Sequence, residues 1–286
     1  MISILIPCYN FNITELVQEI HKQTKKTNKK FEIICAEDGS NKIFSNPNIK
    51  RLQNVKYLKL KKNIGRSKIR NFLATEATFN SLLFIDCDSK IENENFIEKY
   101  INQINNEKKI VYGQTIYEKQ KPKKEQILHW TYGMKIESKR KKNIFSSHHF
   151  LISKNIFKKV KFNENIKHYG HEDTIFWIEL KKENFQFDFI ENPLTHIGLE
   201  TNERFITKTK TALENLTMLN KKHDLKNISI IKTHKKLSKF LLENLIIYTF
   251  KLTEKMILKN LFSENPSMLL FQFYKLGYYC KITKDI

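Results

Sequence analysis

Short apolar runs alternate with amphipathic stretches through the first half of the chain, and this alternation limits the possible fold more than any other feature. Four runs rich in β-branched residues indicate strands, namely SILIP (3–7), FEIICA (31–36), VKYLKL (55–60) and SLLFID (81–86). Stretches with helical spacing lie between and after them, in ITELVQEIHKQ, GRSKIRNFLATEA and NFIEKYINQI. Strands that are apolar throughout and joined by helices predict an α/β fold, with a mostly parallel central sheet flanked by helices.

The polar residues that follow three of these strands are the first candidates for function. They lie in PCYN (7–10), EDGS (37–40) and DCD (86–88). In open α/β sheets the ligand lies outside the carboxyl ends of the strands, near a switch in strand order. We therefore expect the three clusters to meet at one edge of the sheet.

Asp86 and Asp88 lie one residue apart, directly after a buried strand. This spacing lets two carboxylates approach one Mg²⁺ or Mn²⁺, which takes one or two carboxylates together with phosphate oxygens of a substrate. The alternative is a polar turn in which an aspartate caps the next helix. The EDGS segment can likewise hold a base or ribose by hydrogen bonds, or can form a simple strand-to-helix turn.

Further charged residues that are candidates for the functional site lie at the starts of two predicted helices. Arg66 and Arg70 lie in the first turns of a helix predicted within 63–77, and guanidinium groups near a helix N-terminus suit a diphosphate. A solvated basic face is the alternative. Glu172 and Asp173 begin another amphipathic helix, where a carboxylate can serve as general base or can simply favour the helix dipole.

His196 follows a later predicted strand, within NPLTHIGLE (192–200). A neutral imidazole is a reasonable further ligand for Mn²⁺ beside Asp88, although a lone histidine is more often structural. The chain has no GxGxxG and no GxxxxGK[ST] motif, so neither a Rossmann dinucleotide site nor a P-loop is supported.

Charge and cysteine content narrow the class of protein. The formal net charge of +21 allows a polyanion, an acidic membrane surface or a phosphorylated ligand as partner, and it also fits a basic composition with no such partner. The four cysteines are scattered without CxxC spacing, which argues against a zinc module or disulfide scaffold and for a reducing cytosol. The N-terminal MISILIPCYN indicates a first strand, not a signal peptide or a membrane helix.

Beyond Thr201 the pattern becomes helical, with helices predicted near 206–221, 232–261 and 267–280. The apolar stretch FLLENLIIYTFKL is too short and too interrupted by charge to span a bilayer, but basic amphipathic helices of this kind can lie at an anionic interface. Packing against the catalytic domain or a second subunit is an equal alternative. The sequence predicts a catalytic domain over 1–203 and a helical region over 204–286.

Taken in order, these motifs resemble those of the family 2 glycosyltransferases, which have the GT-A fold. The matching segments are SILIPCYN, EDGS where the family usually has DDGS, NIGRSKIRN, FIDCDS and GHEDTIF, and they cover about residues 1–200. The resemblance implies a metal-dependent, inverting transferase that moves a hexose or N-acetylhexosamine from a nucleotide-diphosphate donor, foremost a UDP-sugar. The implied acceptor is a hydroxyl of a saccharide or lipid-linked saccharide in cell-surface polysaccharide synthesis.

The resemblance also implies a role for each matching residue. Asp173 would be the catalytic base, with Glu172 beside it facing the acceptor or positioning that base. Asp88 and His196 would bind Mn²⁺ or Mg²⁺. The residues implied at the donor are Pro7, Tyr9, Glu37, Asp38, Arg66, Arg70 and Asp86.

Two departures from the family pattern affect the donor and sugar pockets. Glu37 replaces the usual first aspartate, and His148 and His149 replace small residues of a segment that often lines the sugar pocket. These histidines could narrow the sugar site, bind the acceptor or pack in the core. The resemblance implies a location in the cytoplasm, and it also allows peripheral attachment at the inner face of the plasma membrane.

Two other classes of protein compete with a transferase. A nucleic-acid-binding protein would use the basic charge, but acidic clusters at strand ends would repel phosphates, so we expect no nucleic-acid partner. A nucleotidyltransferase of related fold would also hold a metal by aspartates. It would need a Gly-rich, Lys-containing phosphate loop after the first strand, and PCYNFN is not one.

Overall fold

A computed structural model describes residues 1–42, 44–104, 109–139 and 144–284. The strands found there are β1 (Ile2–Cys8), β2 (Phe31–Glu37), β3 (Val55–Lys59), β4 (Ser81–Ile85), β5 (Ser89–Lys90), β6 (Lys109–Tyr112), β7 (Thr115–Tyr117), β8 (His149–Ser153), β9 (Gln186–Phe189) and β10 (Leu194–His196). The α-helices are α1 (Thr14–Lys26), α2 (Arg66–Glu76), α3 (Phe96–Ile101), α4 (Ile127–Tyr132), α5 (Lys154–Lys159), α6 (Glu172–Lys182), α7 (Asn202–Asn220), α8 (Ser229–Lys239), α9 (Glu243–Leu261) and α10 (Met268–Lys284).

Seven strands form the main sheet, in the order β3-β2-β1-β4-β8-β6-β9. Strands β1, β2, β3 and β4 run parallel, as do β6 and β9, whereas β8 runs antiparallel to both of its neighbours. The predicted α/β architecture with a mostly parallel sheet is confirmed, and the four predicted strands form its parallel half. The antiparallel β8 brings the start of one strand to the carboxyl end of another.

Both faces of this sheet are covered, which explains why its strands are apolar throughout. Successive side chains of a strand point to opposite faces, so Ile4 and Ile6 join the core cluster that contains α1 and α3 residues. Leu5, between them, joins a second cluster with residues of α2, α5 and α6. Strands β2 and β4 divide their apolar side chains between the two faces in the same way.

A second sheet of three short strands, in the order β5-β10-β7, lies in the same compact unit of the chain as the main sheet. In it β5 is antiparallel to β10, with His196 opposite Ser89, and β7 is parallel to β10. Strand β5 begins directly after Asp88. The small sheet therefore fixes the main-chain path on which Asp88 and His196 lie.

The chain divides into two compact units. The first contains Met1–Glu118, Glu137–Lys167 and Glu172–Gly198, and the second contains Lys119–Ile136, His168–His171 and the chain from Leu199 onward. The structure groups 119–136 with the helical unit, whereas the sequence pattern did not predict that this segment belongs to it. The division at 203/204 stays a prediction.

The second unit is helical, with a core formed by the seven buried side chains Leu128, Ile206, Phe250, Ile257, Leu261, Phe271 and Tyr274. The single helix expected near 232–261 is two helices, α8 and α9. The break lies at Leu241, whose φ of 57° is left-handed, and no glycine or proline marks it in the sequence. Within the described residues, no helix combines the length and apolar character that crossing a bilayer requires.

Candidate active site

The carboxyl ends of β1 and β2 lie side by side, as the predicted edge requires. Cys8 is paired with Glu37, and the main-chain N–H of Asp38 donates to the Cys8 carbonyl at 2.8 Å. Tyr9, just past β1, is 44% exposed. The Asn10 side chain accepts from the main-chain N–H groups of two residues that follow EDGS, so the two loops are held together.

Glu37 and Asp38 are both buried and have internal partners. The Glu37 carboxylate accepts from the Tyr57 hydroxyl at 2.5 Å, from Asn46 Nδ2 at 3.2 Å and from the Ser40 hydroxyl. The Asp38 carboxylate accepts from the main-chain N–H groups of Ile64 and Gly65 at 2.7 and 3.1 Å. Both side chains shape the loops of the predicted donor pocket, and their contact with a donor stays a prediction.

Gly39 makes the tight turn in EDGS. Its φ is +64°, and a Cβ there would lie 2.3 Å from the main-chain carbon of Lys62. The left-handed conformation and the close approach both require glycine. The turn thus lets EDGS lie directly against the loop that leads into α2.

The two arginines of α2 each pair with an acidic candidate. Arg66 Nη1 lies 3.2 Å from Glu172 Oε1, and Arg70 Nη2 lies 2.5 Å from Asp86 Oδ1. Residues four apart share a helix face, so α2 connects the end of β4 with the start of α6. Arg66 has 52% of its side chain exposed, whereas Arg70 is almost fully buried at 4%.

Asp88 and His196 lie next to each other at the end of β10. Asp88 Oδ1 is 3.6 Å from His196 Nδ1, and the main-chain N–H of Ile197 donates to the Asp88 carbonyl at 2.8 Å. A Cβ at Gly198 would lie 2.5 Å from Asp88 Oδ2, so only glycine leaves room for this carboxylate. The two predicted ligands thus lie side by side, and their binding of a metal stays a prediction.

His148 joins this pair, while its neighbour His149 does not. One ligand atom from each of Asp88, His148 and His196 lies within 4.8 Å of the others. His149 is fully buried, with Tyr100 Oη at 2.6 Å from Nδ1 and the Gln114 carbonyl at 3.2 Å from Nε2. His149 thus packs in the core, which is one of the three roles left open, whereas His148 lies beside Asp88 and His196, a position that none of the three roles describes.

The antiparallel direction of β8 explains the position of His148. Ile85, the last residue of β4, is paired with His149, and the Asp86 N–H donates to the His148 carbonyl at 2.9 Å. The start of β8 thus meets the end of β4. Sequence reasoning named His148 but did not assign it to the metal site, because the direction of β8 in the sheet is not a local sequence signal.

Charges in the site shift the pKa values of its acids and imidazoles. Burial alone would raise the pKa of Asp88, but neighbouring His196 and His148 hold it well below its usual range. Burial would lower the pKa of His196, yet the Asp88 carboxylate raises it. Burial and the adjacent charge of Asp88 raise the pKa of Asp86 despite its ion pair with Arg70.

The two imidazoles of the 148–149 pair are favoured in their neutral form. Burial keeps the pKa of His148 well below its usual range, and burial lowers the pKa of His149 to about 4. Glu172 is favoured as a carboxylate, because Arg66 and Arg70 lower its pKa against the effect of burial. The neutral imidazole of His148 is the form that can bind a divalent cation of the Mn²⁺ class.

Asp173 lies at the start of α6, beside the Arg66–Glu172 pair. It is partly exposed, and its Oδ1 accepts from the main-chain N–H of Thr174 at 2.7 Å. This bond fixes the orientation of the carboxylate. Its part in catalysis stays a prediction.

A family model described as Glycosyl transferase family 2 matches residues 3–167, more than half of the 286 residues. The chain belongs to glycosyl transferase family 2. The predicted family and the predicted class of enzyme, a glycosyltransferase, are confirmed. No curated protein sequence matches this family 2 transferase.

Three solved structures similar to the family 2 chain illustrate its fold. TarS 1–349 of S. aureus with UDP-GlcNAc is 19% identical, with a TM-score of 0.50 over 75% of this chain and 66% of that one. The mannosyltransferase PcManGT from Pyrobaculum calidifontis, with GDP-Man and Mn²⁺, is 9% identical, with a TM-score of 0.54 over 77% and 64%. GalNAc-T7 with UDP, GalNAc and Mn²⁺ is 14% identical, with a TM-score of 0.54 over 70% and 43%.

These likenesses concern the fold. The predicted GT-A fold is confirmed for the family 2 transferase, with a helical region at its C-terminal end. The chain spans 66% or less of each of these three neighbours. The nucleotide-sugars and Mn²⁺ bound by these neighbours are therefore properties of those proteins, and for this chain they support only a proposal.

Proposed function

We propose that this chain is a metal-dependent, inverting glycosyltransferase that takes a sugar from a nucleotide diphosphate, foremost a UDP-sugar. The acceptor is a hydroxyl of a saccharide or lipid-linked saccharide in cell-surface polysaccharide synthesis. The observation that carries the proposal is the convergence of Asp88, His196 and the Arg66–Glu172 pair near the carboxyl end of β4. Neighbours that hold UDP, UDP-GlcNAc or GDP-Man support a nucleotide-sugar donor.

The donor would lie against the loops that follow β1, β2 and β4. Pro7 and Tyr9 border the place of the base, and the buried Asp38 keeps the loop before α2 in position beside it. Arg66 offers a half-exposed positive charge to a diphosphate. Arg70 is buried and acts by orienting Asp86 towards the ribose or sugar.

Asp88 and His196 would hold the cation, either Mn²⁺ or Mg²⁺. A divalent cation at that position neutralises the diphosphate that leaves, without any proton transfer. The low pKa of Asp88 keeps its carboxylate charged at neutral pH, as a metal ligand requires. Asp86 is occupied by Arg70, which supports the asymmetric assignment of the two aspartates.

Asp173 would remove the proton of the acceptor hydroxyl as that oxygen attacks the anomeric carbon. A general base needs hydrogen-bond reach to the proton it takes, and Asp173 is the partly exposed carboxylate at the start of α6. Glu172 is held by Arg66 and would position this turn of the helix. A single displacement from the face opposite the diphosphate inverts the anomeric centre.

The helical region from 204 onward would attach to anionic lipid at the cytoplasmic face of the plasma membrane. Leu245, Tyr248, Leu252 and Met256 are exposed at spacings of three or four residues, so they form one apolar stripe along α9. Exposed lysines Lys251, Lys255 and Lys259 accompany this stripe. An apolar stripe with adjacent lysines is complementary to an anionic membrane interface.

A panel of nucleotide-sugars with Mn²⁺ tests the transferase activity. We expect slow hydrolysis of one UDP-sugar, or a thermal shift on its binding, and both should disappear with EDTA. A panel in which no UDP- or GDP-sugar gives a metal-dependent response would overturn the proposal.

The variant Asp173→Asn tests the assignment of the base. Transfer should fall by about a hundredfold or more, because general-base catalysis contributes about that much, while donor affinity stays unchanged. Glu179→Gln, two turns along the same helix in an exposed pair with Lys182, is the matched control and should keep full activity. Loss of donor binding in Asp173→Asn would show that the role of Asp173 is wrong.

A further inference from the structure

His148 is the residue of the site whose chemistry the proposed function does not use. We propose that His148 is a third protein ligand, so that one carboxylate and two imidazoles hold the divalent metal before any nucleotide-sugar binds. This inference rests on the proposed metal site of Asp88 and His196. Beyond that site, it adds His148 as a ligand, a preference for transition metals over Mg²⁺, and binding of the metal before the nucleotide-sugar.

The three side chains form a compact cluster. The ligand atoms of Asp88, His148 and His196 all lie within 4.8 Å of one another, which is close enough to share one ion after small side-chain rotations. The rings of His148 and His196 lie edge to face, with their centroids 5.5 Å apart. Asp86 is absent from the cluster, because Arg70 holds its carboxylate.

His148 is held by hydrogen bonds at its carbonyl and at both ring nitrogens. Its carbonyl accepts from the Asp86 N–H, and its ring nitrogens contact Ser89 Oγ at 2.9 Å and Thr115 Oγ1 at 3.1 Å. A neutral imidazole has one N–H and one lone pair. One hydroxyl can therefore accept the N–H and orient the ring, as partners of metal-bound histidines do, while the other turns away from the lone pair.

His149, the neighbour of His148 in sequence, has different partners. That imidazole has a tyrosine hydroxyl at one nitrogen and a main-chain carbonyl at the other, and it is fully buried between aromatic rings. A carbonyl cannot donate, so the proton of His149 is committed to Gln114 and its lone pair to Tyr100. At His148 the Ser89 hydroxyl donates to a main-chain carbonyl at 2.7 Å and therefore accepts the ring proton, so the lone pair is opposite a second hydroxyl that can turn away. Of the two histidines, His148 alone lies in the cluster with a carboxylate.

The donor set predicts which metals bind. Imidazole suits transition metals, whereas Mg²⁺ prefers oxygen ligands and keeps several waters. Two imidazoles and one carboxylate therefore favour Mn²⁺, Co²⁺ or Zn²⁺ over Mg²⁺. Three protein ligands also leave coordination positions for water and for diphosphate oxygens.

The test is a titration of metal-stripped protein with Mn²⁺ and no nucleotide, followed by the EPR signal of free Mn²⁺. We expect one Mn²⁺ per chain, undiminished by excess Mg²⁺, and about a tenfold or greater loss of affinity in His148→Gln. His21→Gln, which changes a histidine on α1 outside the site, is the matched control and should bind as wild type.

The possible results separate this inference from the proposed function. Unchanged Mn²⁺ affinity in His148→Gln, with affinity lost in Asp88→Asn, would overturn the third ligand and leave the proposed metal site intact. Uptake of Mn²⁺ only in the presence of UDP would overturn the order of binding. Absence of Mn²⁺ uptake with and without UDP would overturn the metal site itself.

A second measurement uses the wild-type chain and so does not depend on the folding of a variant. Electron spin echo modulation of bound Mn²⁺ reports the ¹⁴N nuclei of coordinated imidazoles. We expect the pattern of two histidine ligands in the absence of nucleotide. The pattern of a single histidine would overturn the assignment of His148.

Discussion

At the scale of the residue, the site depends on a few positions where atoms lie so close together that no larger or differently charged side chain fits. Asp88 reaches its position beside His196 only because residue 198 is glycine. The buried guanidinium of Arg70 is likewise held in place, since Nη2 is paired with Asp86 at 2.5 Å and Nη1 donates to the Arg66 carbonyl at 3.3 Å. Such residues act by orienting the groups that would contact substrate.

Gly198→Ala tests the close approach at Asp88. The added Cβ would lie 2.5 Å from Asp88 Oδ2 and 2.6 Å from its Cβ, so the carboxylate must move away from His196. We expect Mn²⁺ affinity to fall by about tenfold or more, because displaced groups around a metal typically cost that much. Isothermal titration calorimetry measures it, and thermal unfolding in EDTA serves as the control for folding. Wild-type Mn²⁺ affinity would contradict the role of Gly198.

At the scale of the element, polar side chains hold the amino ends of the parallel strands together, opposite the site. Glu32 of β2 accepts from the Ser3 hydroxyl of β1 at 2.7 Å and from Lys56 Nζ of β3 at 3.1 Å. It also accepts from the main-chain N–H and the hydroxyl of Thr78, which follows α2. One buried carboxylate thus joins three strands and the end of a helix.

Glu32→Gln should lower the free energy of unfolding by about 1–3 kcal/mol at neutral pH, since an amide cannot accept all of these hydrogen bonds. Glu19→Gln is the control: it removes the charge of the surface pair with Lys22 and keeps an oxygen that can accept from Gln23 Nε2, so it should change the free energy of unfolding by about 0.5 kcal/mol or less. Urea denaturation measures both. Equal effects of the two substitutions would show that the Glu32 network does not stabilise the fold.

The same carboxylate predicts a pH dependence. Burial opposes ionisation, but the hydrogen bonds from Ser3 and Thr78 and the charge of Lys56 lower the pKa of Glu32 below its usual value. The unfolded chain therefore takes up a proton at higher pH than the folded one, and the stabilisation is present above the usual glutamate pKa and lost as pH falls below it. Urea denaturation from pH 7 to pH 3 should show a weaker acid dependence in Glu32→Gln than in wild type.

At the scale of the whole molecule, the net charge of +21 and the apolar stripe of α9 bear on where the transferase works. The face of α9 opposite the stripe is buried in the helical unit through Phe250, Ile257 and Leu261. The helix is therefore held by one face while the other is open to a partner. The partner that we propose for it is anionic lipid, to which the adjacent lysines are complementary.

Leu245→Ser combined with Leu252→Ser tests this surface. Wild type should sediment with vesicles that contain phosphatidylglycerol and less with neutral phosphatidylcholine, and the double variant should lose most of this binding. Leu269→Ser, an exposed leucine on α10, is the matched control. Equal sedimentation with both kinds of vesicle, or a stable dimer of the chain that the double variant disrupts, would contradict the lipid partner.

The sequence by itself determined the parallel half of the sheet, the helices between its strands and the family. Apolar runs of strand length and helical spacing are local signals, and Asp86, Asp88, Glu172 and His196 follow predicted strands or begin a predicted helix. Tertiary structure decided what depends on strand direction and on contacts between distant segments. His148 reaches Asp88 because β8 runs antiparallel to β4, and Glu37 turns inward because Tyr57 and Asn46 meet it there. No local pattern carries that information, since it arises only when segments far apart in the chain come into contact.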